Sequence, residues 1–200
     1  MVRSDFNRIL PVAPLAALLA LAGCASAPSQ INNMCAVFDQ NDGFFTNWRR
    51  SAHAAEAKYG IPVPILMATI RKESGFKSNA RPPRRYYLGI IPGKRASSAY
   101  GYSQALDGTW DQYRRESGSH TARRGNFADA VDFVGWYHQK TVSTFGIAPG
   151  DTFNLYLAYY SGWNGYAKGA WRSNASIVKY AQATAKMAAD YNSQLRTCGG

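Results

Sequence analysis

Alternation of apolar and polar residues, the mark of a half-buried strand, is almost absent from this 200-residue sequence, which excludes an all-β fold. No segment repeats at a fixed period, so repeat architectures are excluded as well. The histidines, His53, His120 and His138, are scattered, and the sequence therefore predicts no metal site and no cofactor. The serines lack a Gly-x-Ser-x-Gly motif and Cys35 has no evident base partner, which argues against serine and cysteine hydrolases.

The apolar pattern that is present has a helical period over most of the chain. It predicts helices over residues 45–59, 64–74, 103–116, 127–145, 153–161 and 175–195. Gly60, Gly75 and Gly146 are natural helix stops, and Asn126 is a natural N-cap. Residues 79–98 read as a long surface loop, in which at most a short hairpin arm forms. The predicted fold class is therefore mainly α, one lobe with a loop-lined groove.

The N-terminus has the features of a secretion signal. Arg3 and Arg8 precede an apolar stretch, residues 9–21, which is too short for a confident membrane span. The stretch ends in Leu-Ala-Gly-Cys24, which resembles the lipoprotein box of bacteria, where the signal is removed and the cysteine is lipidated. The alternative is an ordinary secretion signal that leaves Cys24 as a free thiol.

This interpretation divides the chain into three parts: a signal peptide (1–23), a lipidated flexible tether (24–34) and a single catalytic domain (35–200). Ala25, rather than an aspartate, follows the cysteine. By resemblance to the sorting rules of Gram-negative bacteria, this favours the periplasmic face of the outer membrane. We therefore expect attachment to the membrane through the N-terminal lipid.

The formal net charge of +11 favours polyanionic partners. A secreted protein rarely meets nucleic acid, so we expect the cell envelope, and not nucleic acid, as the partner. We also expect a monomer. The alternative is that the charge serves solubility alone.

Cys35 and Cys198 lie near the two ends of the expected domain, and in an oxidising compartment they are expected to form a disulfide. The alternative is two unpaired buried thiols.

Glu73 is one of only three glutamates, with Glu56 and Glu116. It shares a helical stripe with Ile65 and Thr69, eight and four residues earlier, and so falls on an apolar face. A carboxylate there must be neutral, paired or functional, and desolvation would raise its pKa toward the range of a general acid. A buried salt bridge to an arginine explains the spacing equally well.

Three motifs in order favour catalysis. Glu73-Ser74-Gly75-Phe76 is followed by Ser-Ser-Ala-Tyr-Gly-Tyr-Ser-Gln at 97–104 and by Leu-Ala-Tyr-Tyr-Ser-Gly at 157–162. Their order and spacing resemble the soluble lytic transglycosylases, relatives of goose-type lysozyme, over residues 61–165. The resemblance implies a lysozyme-like lobe that binds the glycan strands of peptidoglycan.

Carried onto this sequence, the family pattern assigns five residues to the site. Glu73 would protonate the glycosidic oxygen and then act as a base. Ser74 would place the acetamido group of the substrate or hold the carboxyl. Gly101 and Gln104 would form a turn under the sugar, and Tyr159 would lie against Glu73 with its hydroxyl tuning the carboxyl.

The sequence departs from the family pattern at several positions, which indicates a divergent lipoprotein branch. Tyr102 and Ser103 stand where small apolar residues precede the glutamine, and Tyr160 stands where the family has asparagine. A Gly-Trp-Asn-Gly-Tyr segment replaces a Gly-Pro-Gly turn, and its Trp163 and Tyr166 are predicted to stack on sugar rings.

The resemblance implies a peptidoglycan lytic transglycosylase that cleaves the MurNAc–GlcNAc β-1,4 bond with a single glutamate and leaves 1,6-anhydro-muramyl ends. Most glycosidases need a second carboxylate, but a substrate with a 2-acetamido group can supply its own nucleophile. The alternatives are a lysozyme-like hydrolase on the same fold, a peptidoglycan-binding lipoprotein without turnover, and a structural envelope lipoprotein without a groove.

Overall fold

The computed structural model describes residues 27–39, 47–88 and 90–198, and most of them are helical. The helices are α1 (Met34–Phe38), α2 (Trp48–Tyr59), α3 (Val63–Ser74), α4 (Asp107–Ser117), α5 (Phe127–Phe145), α6 (Thr152–Ala167) and α7 (Ala175–Thr197). Strands β1 (Arg84–Tyr87) and β2 (Ile91–Arg95) pair antiparallel between α3 and α4, as the expected hairpin arm. The mainly α fold class is confirmed.

Helix α5 runs through the centre of the lobe, in contact with α2, α3, α4 and α6. Its bounds are those predicted, because the Asn126 side chain accepts a hydrogen bond from the Asp129 amide and Gly146 ends the helix. Its buried face includes Phe133, Trp136 and Tyr137. These rings form the wall against which the groove described below is built.

Helix α3 is buried on all sides rather than along one stripe. Every residue from Val63 to Ile70 is buried, so the helix has no solvent face until its last turn. Gly75 ends it in the left-handed conformation (φ 59°), which glycine adopts without steric cost. Glu73 therefore lies on the turn where a fully buried helix reaches the surface.

An aromatic cluster fixes the chain segment that follows the hairpin. The rings of Trp48 and Phe127 stack with centroids 4.0 Å apart, and Tyr102 packs edge-on against both at 5.5 Å. Tyr102, one of the departures from the family pattern, is fully buried in this cluster. The larger side chain thus anchors the turn in the core and does not enter the groove.

The predicted disulfide is present between Cys35 and Cys198, whose Cα atoms are 6.1 Å apart. The same ends are held by the Gln194 side chain, which accepts a hydrogen bond from the Met34 amide at 2.7 Å. The first and last described helices are thereby joined, both covalently and by hydrogen bonds.

Part of the segment predicted as a tether packs against the lobe. The Ile31 carbonyl accepts hydrogen bonds from Arg71 (3.1 Å) and from the Tyr191 hydroxyl, and the Asn32 carbonyl accepts one from Gln194 at 3.0 Å. The ordered lobe therefore begins at least four residues before Cys35. The predicted signal peptide and Cys24 lie outside the described residues.

Two other boundaries differ from the prediction. The helix expected from residue 103 begins at Asp107, because Ser103 and Gln104 belong to a tight turn. The helix expected to end at 161 continues to Ala167 across a break at Gly162 (φ 70°, ψ 159°). None of the described helices combines the length and apolar character that a bilayer crossing requires.

Candidate active site

A groove of about 540 Å³ opens where α3 reaches the surface. Its walls come from the end of α3, the chain before the hairpin, residues 97–106, the start of α4, and helices α5 and α6. It brings together three residues predicted from the sequence: Glu73, Gln104 and Tyr159. Glu73 is the one acidic side chain among the described residues that line it.

The carboxyl group of Glu73 is held by a single hydrogen bond. The Tyr156 hydroxyl donates to its Oε1 at 2.8 Å, and no described residue donates to Oε2. Burial raises the pKa of Glu73 to about 7, although the Tyr156 hydrogen bond and the nearby Lys72 ammonium act in the opposite direction. Near neutral pH the group can therefore both give and take a proton.

The three glutamates have different environments. Glu73 forms no salt bridge within the described part of the chain, so the buried ion pair that its spacing also allowed is not formed. Glu56 accepts a hydrogen bond from the Val63 amide at 3.0 Å and so fixes the start of α3. Glu116 pairs with Lys140 at 2.7 Å on the surface. Of the three, Glu73 alone has neither an ion pair nor a hydrogen bond to a backbone amide among the described residues.

Helix α6 supplies two tyrosines to the site, with different roles. Tyr159 was expected to contact Glu73 through its hydroxyl, but that hydroxyl donates to the Ser103 carbonyl at 2.5 Å. The hydrogen bond to Glu73 comes instead from Tyr156, one helical turn earlier. Tyr159 still lies close enough that the charge of Glu73 adds to burial in raising its pKa. The spacing of the two tyrosines was the signal that could have identified Tyr156.

In the predicted turn, backbone carbonyl groups hold the side chain of Gln104 in place. Gly101 has φ 75°, and a Cβ there would lie 2.1 Å from the Arg124 carbonyl oxygen, so only glycine fits. The Gln104 side-chain amide donates both hydrogens, to the Ala80 carbonyl at 2.9 Å and to the Gly101 carbonyl at 2.8 Å. Its Oε1 is therefore the atom left for a ligand, and it can only accept.

Arg124 ties this turn to the start of α4. Its guanidinium donates to the carbonyls of Ser98 (3.0 Å) and Ala105 (2.8 Å) and pairs with Asp107 at 2.7 Å. Sequence reasoning gave Arg124 no role, because its partners are 17 or more residues away in the chain.

Besides Gly101, which acts through the turn, three residues predicted for substrate binding do not line the groove. The buried Ser74 hydroxyl donates to the Ile70 carbonyl of its own helix at 3.1 Å. Trp163 stacks on Tyr137 with centroids 4.5 Å apart, and Tyr166 packs in a smaller cluster beside α7. The Gly-rich segment that contains them continues α6 as a helix, so both rings pack inward against their neighbours.

His138 lies fully buried behind Tyr159, with ring centroids 5.4 Å apart. The Thr69 hydroxyl donates to the Ile65 carbonyl at 2.9 Å, so it accepts from His138 Nε2 at 3.0 Å. Burial lowers the pKa of His138 to about 3, which keeps the ring neutral. His138 thus supports the tyrosine wall. Among the described residues, no group of three potential ligand side chains could hold a metal ion.

Comparison with known proteins bears on this arrangement. The family model described as "Transglycosylase SLT domain" matches residues 12–198, which is most of the chain. No curated protein matches it. The match spans the end of α3, the Gly101 turn and helix α6, which are three of the elements that form the groove around Glu73.

Proposed function

Because this chain belongs to the transglycosylase SLT domain family, whose members act on peptidoglycan, we propose that it is a lytic transglycosylase of the MurNAc–GlcNAc β-1,4 bond. The observation that carries the proposal is Glu73. It is a desolvated carboxyl with a pKa of about 7, and it is the one acid among the described residues of the groove. A glycosidase with two catalytic carboxylates would place a second one across the scissile bond.

Glu73 acts twice in the proposed reaction. Its protonated carboxyl gives the proton to the glycosidic oxygen while the bond from that oxygen to the anomeric carbon breaks, and GlcNAc leaves as an alcohol. The acetamido oxygen of the muramic acid stabilises the anomeric carbon. The Glu73 carboxylate then takes the proton of the 6-hydroxyl, whose oxygen bonds to the anomeric carbon. The product is a 1,6-anhydro sugar, no water is consumed, and Glu73 ends protonated.

The neighbours of Glu73 suit this double role. Tyr156 holds Oε1, so Oε2 is the oxygen available for proton transfer. Gln104 presents a fixed acceptor, which suits a sugar hydroxyl or the N–H of an acetamido group. Tyr159 is fixed through Ser103, which keeps an aromatic wall beside the carboxyl.

Product analysis separates this reaction from the lysozyme-like hydrolysis that the same acid could perform. Purified peptidoglycan is incubated with the protein, and the fragments are weighed by mass spectrometry. We expect fragments that lack one water relative to hydrolytic products; reducing ends would instead assign a hydrolase.

The Glu73→Gln variant tests the catalytic assignment. We expect it to lose at least about a hundredfold in rate, because general acid–base catalysis contributes that much or more, while binding to sedimented peptidoglycan is retained. Glu116→Gln is the matched control. Glu116 lies at the surface, where it pairs with Lys140, so this variant should cut at the wild-type rate. Wild-type activity in Glu73→Gln would remove Glu73 from the mechanism.

We also propose that residues 1–23 are a signal peptide, that Cys24 is lipidated, and that the protein acts as a monomer at the periplasmic face of the outer membrane. The sequence Leu-Ala-Gly-Cys24-Ala supports this proposal. Labelled palmitate should enter the wild-type protein and not Cys24→Ser, which should appear in the soluble periplasmic fraction. Equal labelling of both would exclude Cys24 as the lipid site.

A further inference from the structure

Two exposed tyrosines extend the groove beyond Glu73. Tyr160 on α6 lines the groove and is 49% exposed, and Tyr180 on α7 is 41% exposed, with ring centroids 6.0 Å apart. Tyr160 is also 6.3 Å from the ring of Tyr156, whose hydroxyl holds Glu73. An aromatic strip therefore begins beside the carboxyl and runs outward across two helices.

Lys72 ends this strip with a positive charge. Its ammonium lies 4.1 Å from the centroid of the Tyr180 ring, and in the described part of the chain it forms no salt bridge. The acidic residues of the two adjoining helices are engaged elsewhere. Asp190 of α7 pairs with Lys186, and Asp151 caps α6. Lys72 therefore offers a cation outside every ion pair of the described residues, and its aromatic neighbour holds it at one position.

The chemistry of this patch, Lys72–Tyr160–Tyr180, defines its ligand. Exposed aromatic faces pack against sugar rings and aliphatic chain, and an ammonium held on a ring pairs with a carboxylate. In peptidoglycan these features occur together on the muramic acid, which carries a short peptide with free carboxylates. An unsubstituted glycan offers no anion to Lys72.

We propose that the Lys72–Tyr160–Tyr180 patch binds the carboxylate-bearing peptide of the muramic acid next to the bond that Glu73 cuts. The inference rests on the proposed function, because it assumes that a glycan strand lies in the groove. The peptide packs along the two tyrosines, and Lys72 pairs with one of its carboxylates. The protein therefore prefers peptide-bearing strands over bare glycan of the same length.

The test compares two substrates: soluble peptide-bearing glycan strands, and the same strands after an amidase has removed the peptides. Wild type, Lys72→Gln, Tyr180→Ala and Lys179→Gln are assayed for kcat and KM on both. Lys179 is exposed and adjacent to Tyr180 in sequence, so its variant is the matched control for the loss of one charge. Tyr180→Ala keeps the test decisive if Lys72→Gln folds poorly, since Tyr180 is a surface side chain.

We expect Lys72→Gln and Tyr180→Ala to raise KM for peptide-bearing strands roughly three- to fivefold, the effect of one partly exposed ion pair, with the bare-strand KM unchanged and any change in kcat equal on both substrates. The Lys72→Gln effect should fade in 0.5 M salt, whereas that of Lys179→Gln should be absent throughout. Lys72 also lowers the pKa of Glu73, but that influence acts on both substrates alike.

Four results would overturn the proposal. A KM that rises equally on both substrates would mean that Lys72 acts only through Glu73. An effect of Lys179→Gln as large as that of Lys72→Gln would mean that bulk charge is responsible. If wild type cuts bare strands but has no preference for peptide-bearing ones, the patch is not a peptide site although the proposed function stands. If wild type cuts neither substrate, the proposed function fails and the patch proposal with it.

Discussion

Replacing Glu73 with glutamine is expected to change how folding stability depends on pH. In the unfolded chain Glu73 ionises around its ordinary pKa of 4.5, whereas in the folded protein burial holds that pKa at about 7. Between these values the unfolded state releases its proton while the folded state keeps it. Wild type therefore loses stability as the pH rises from 4.5 to 7, whereas a glutamine at this position does not titrate.

The size of the effect follows from the two pKa values. One pKa unit corresponds to about 1.4 kcal/mol, so a rise from 4.5 to about 7 amounts to about 3 kcal/mol of unfolding free energy. Below pH 4 both proteins carry a neutral side chain and should be almost equally stable. Above pH 8 Glu73→Gln should be the more stable by the full amount, since the Tyr156 hydroxyl can still donate to the amide oxygen.

Urea denaturation at half-unit steps from pH 4 to pH 8.5 measures this difference directly. All other titrating groups are shared by the two proteins, so the difference isolates Glu73. Glu116→Gln is a control of opposite sign, because hydrogen bonds from Lys140 and Gln112 lower the pKa of Glu116. That variant should be the less stable at neutral pH, with the deficit vanishing as the pH falls through the acidic range. A constant difference between wild type and Glu73→Gln across the range would refute the desolvated carboxyl.

Three further changes test the supports of the site. Tyr156→Phe removes the donor that lowers the pKa of Glu73, so the alkaline limb of the pH–rate profile should move up by about one unit, and an unmoved limb would contradict the contact. Gly101→Ala places a Cβ against the Arg124 carbonyl and should cost about 2–3 kcal/mol in urea melts together with most of the activity; wild-type stability would mean that the turn can open. Cys35→Ser breaks a crosslink between residues 163 positions apart and should lower the free energy of unfolding by up to about 5 kcal/mol. An unchanged unfolding midpoint would show that hydrogen bonds alone hold the two ends.

Helix bounds were predictable wherever a local signal sets them. Asn126 and Gly146 fix both ends of α5, and each acts through neighbours within four residues. The start of α4 was predicted four residues too early, because helical periodicity over 103–106 competes with a turn that distant partners hold. Tyr102 is held by the ring cluster of α2 and α5, and Gln104 by the Ala80 carbonyl. A local sequence pattern cannot predict these contacts, because their partners are distant in the sequence.

The site divides in the same way. The location of Glu73 and Gln104 in one groove was predictable, because the order and spacing of the motifs are those of a family with a known groove. The direction of each side chain did not follow, because it depends on packing between helices. Tyr159 and Tyr156 differ by one turn of α6, and only the approach of α3 decides which hydroxyl reaches Glu73. Trp163 faces inward for a similar reason, since Tyr137 offers it a stacking surface.

The bond between Cys35 and Cys198 makes the lobe a covalent ring, with consequences for how it can be cut. Exposed Arg84 and Lys94 on the hairpin are natural sites for trypsin. A nick there would release no fragment, since both pieces stay linked through the disulfide, and the two halves would separate on a gel only after reduction. The same closure means that the chain can be reopened elsewhere: a circular permutant that begins and ends in the hairpin keeps the seven described helices joined, because Cys35 and Cys198 are already side by side.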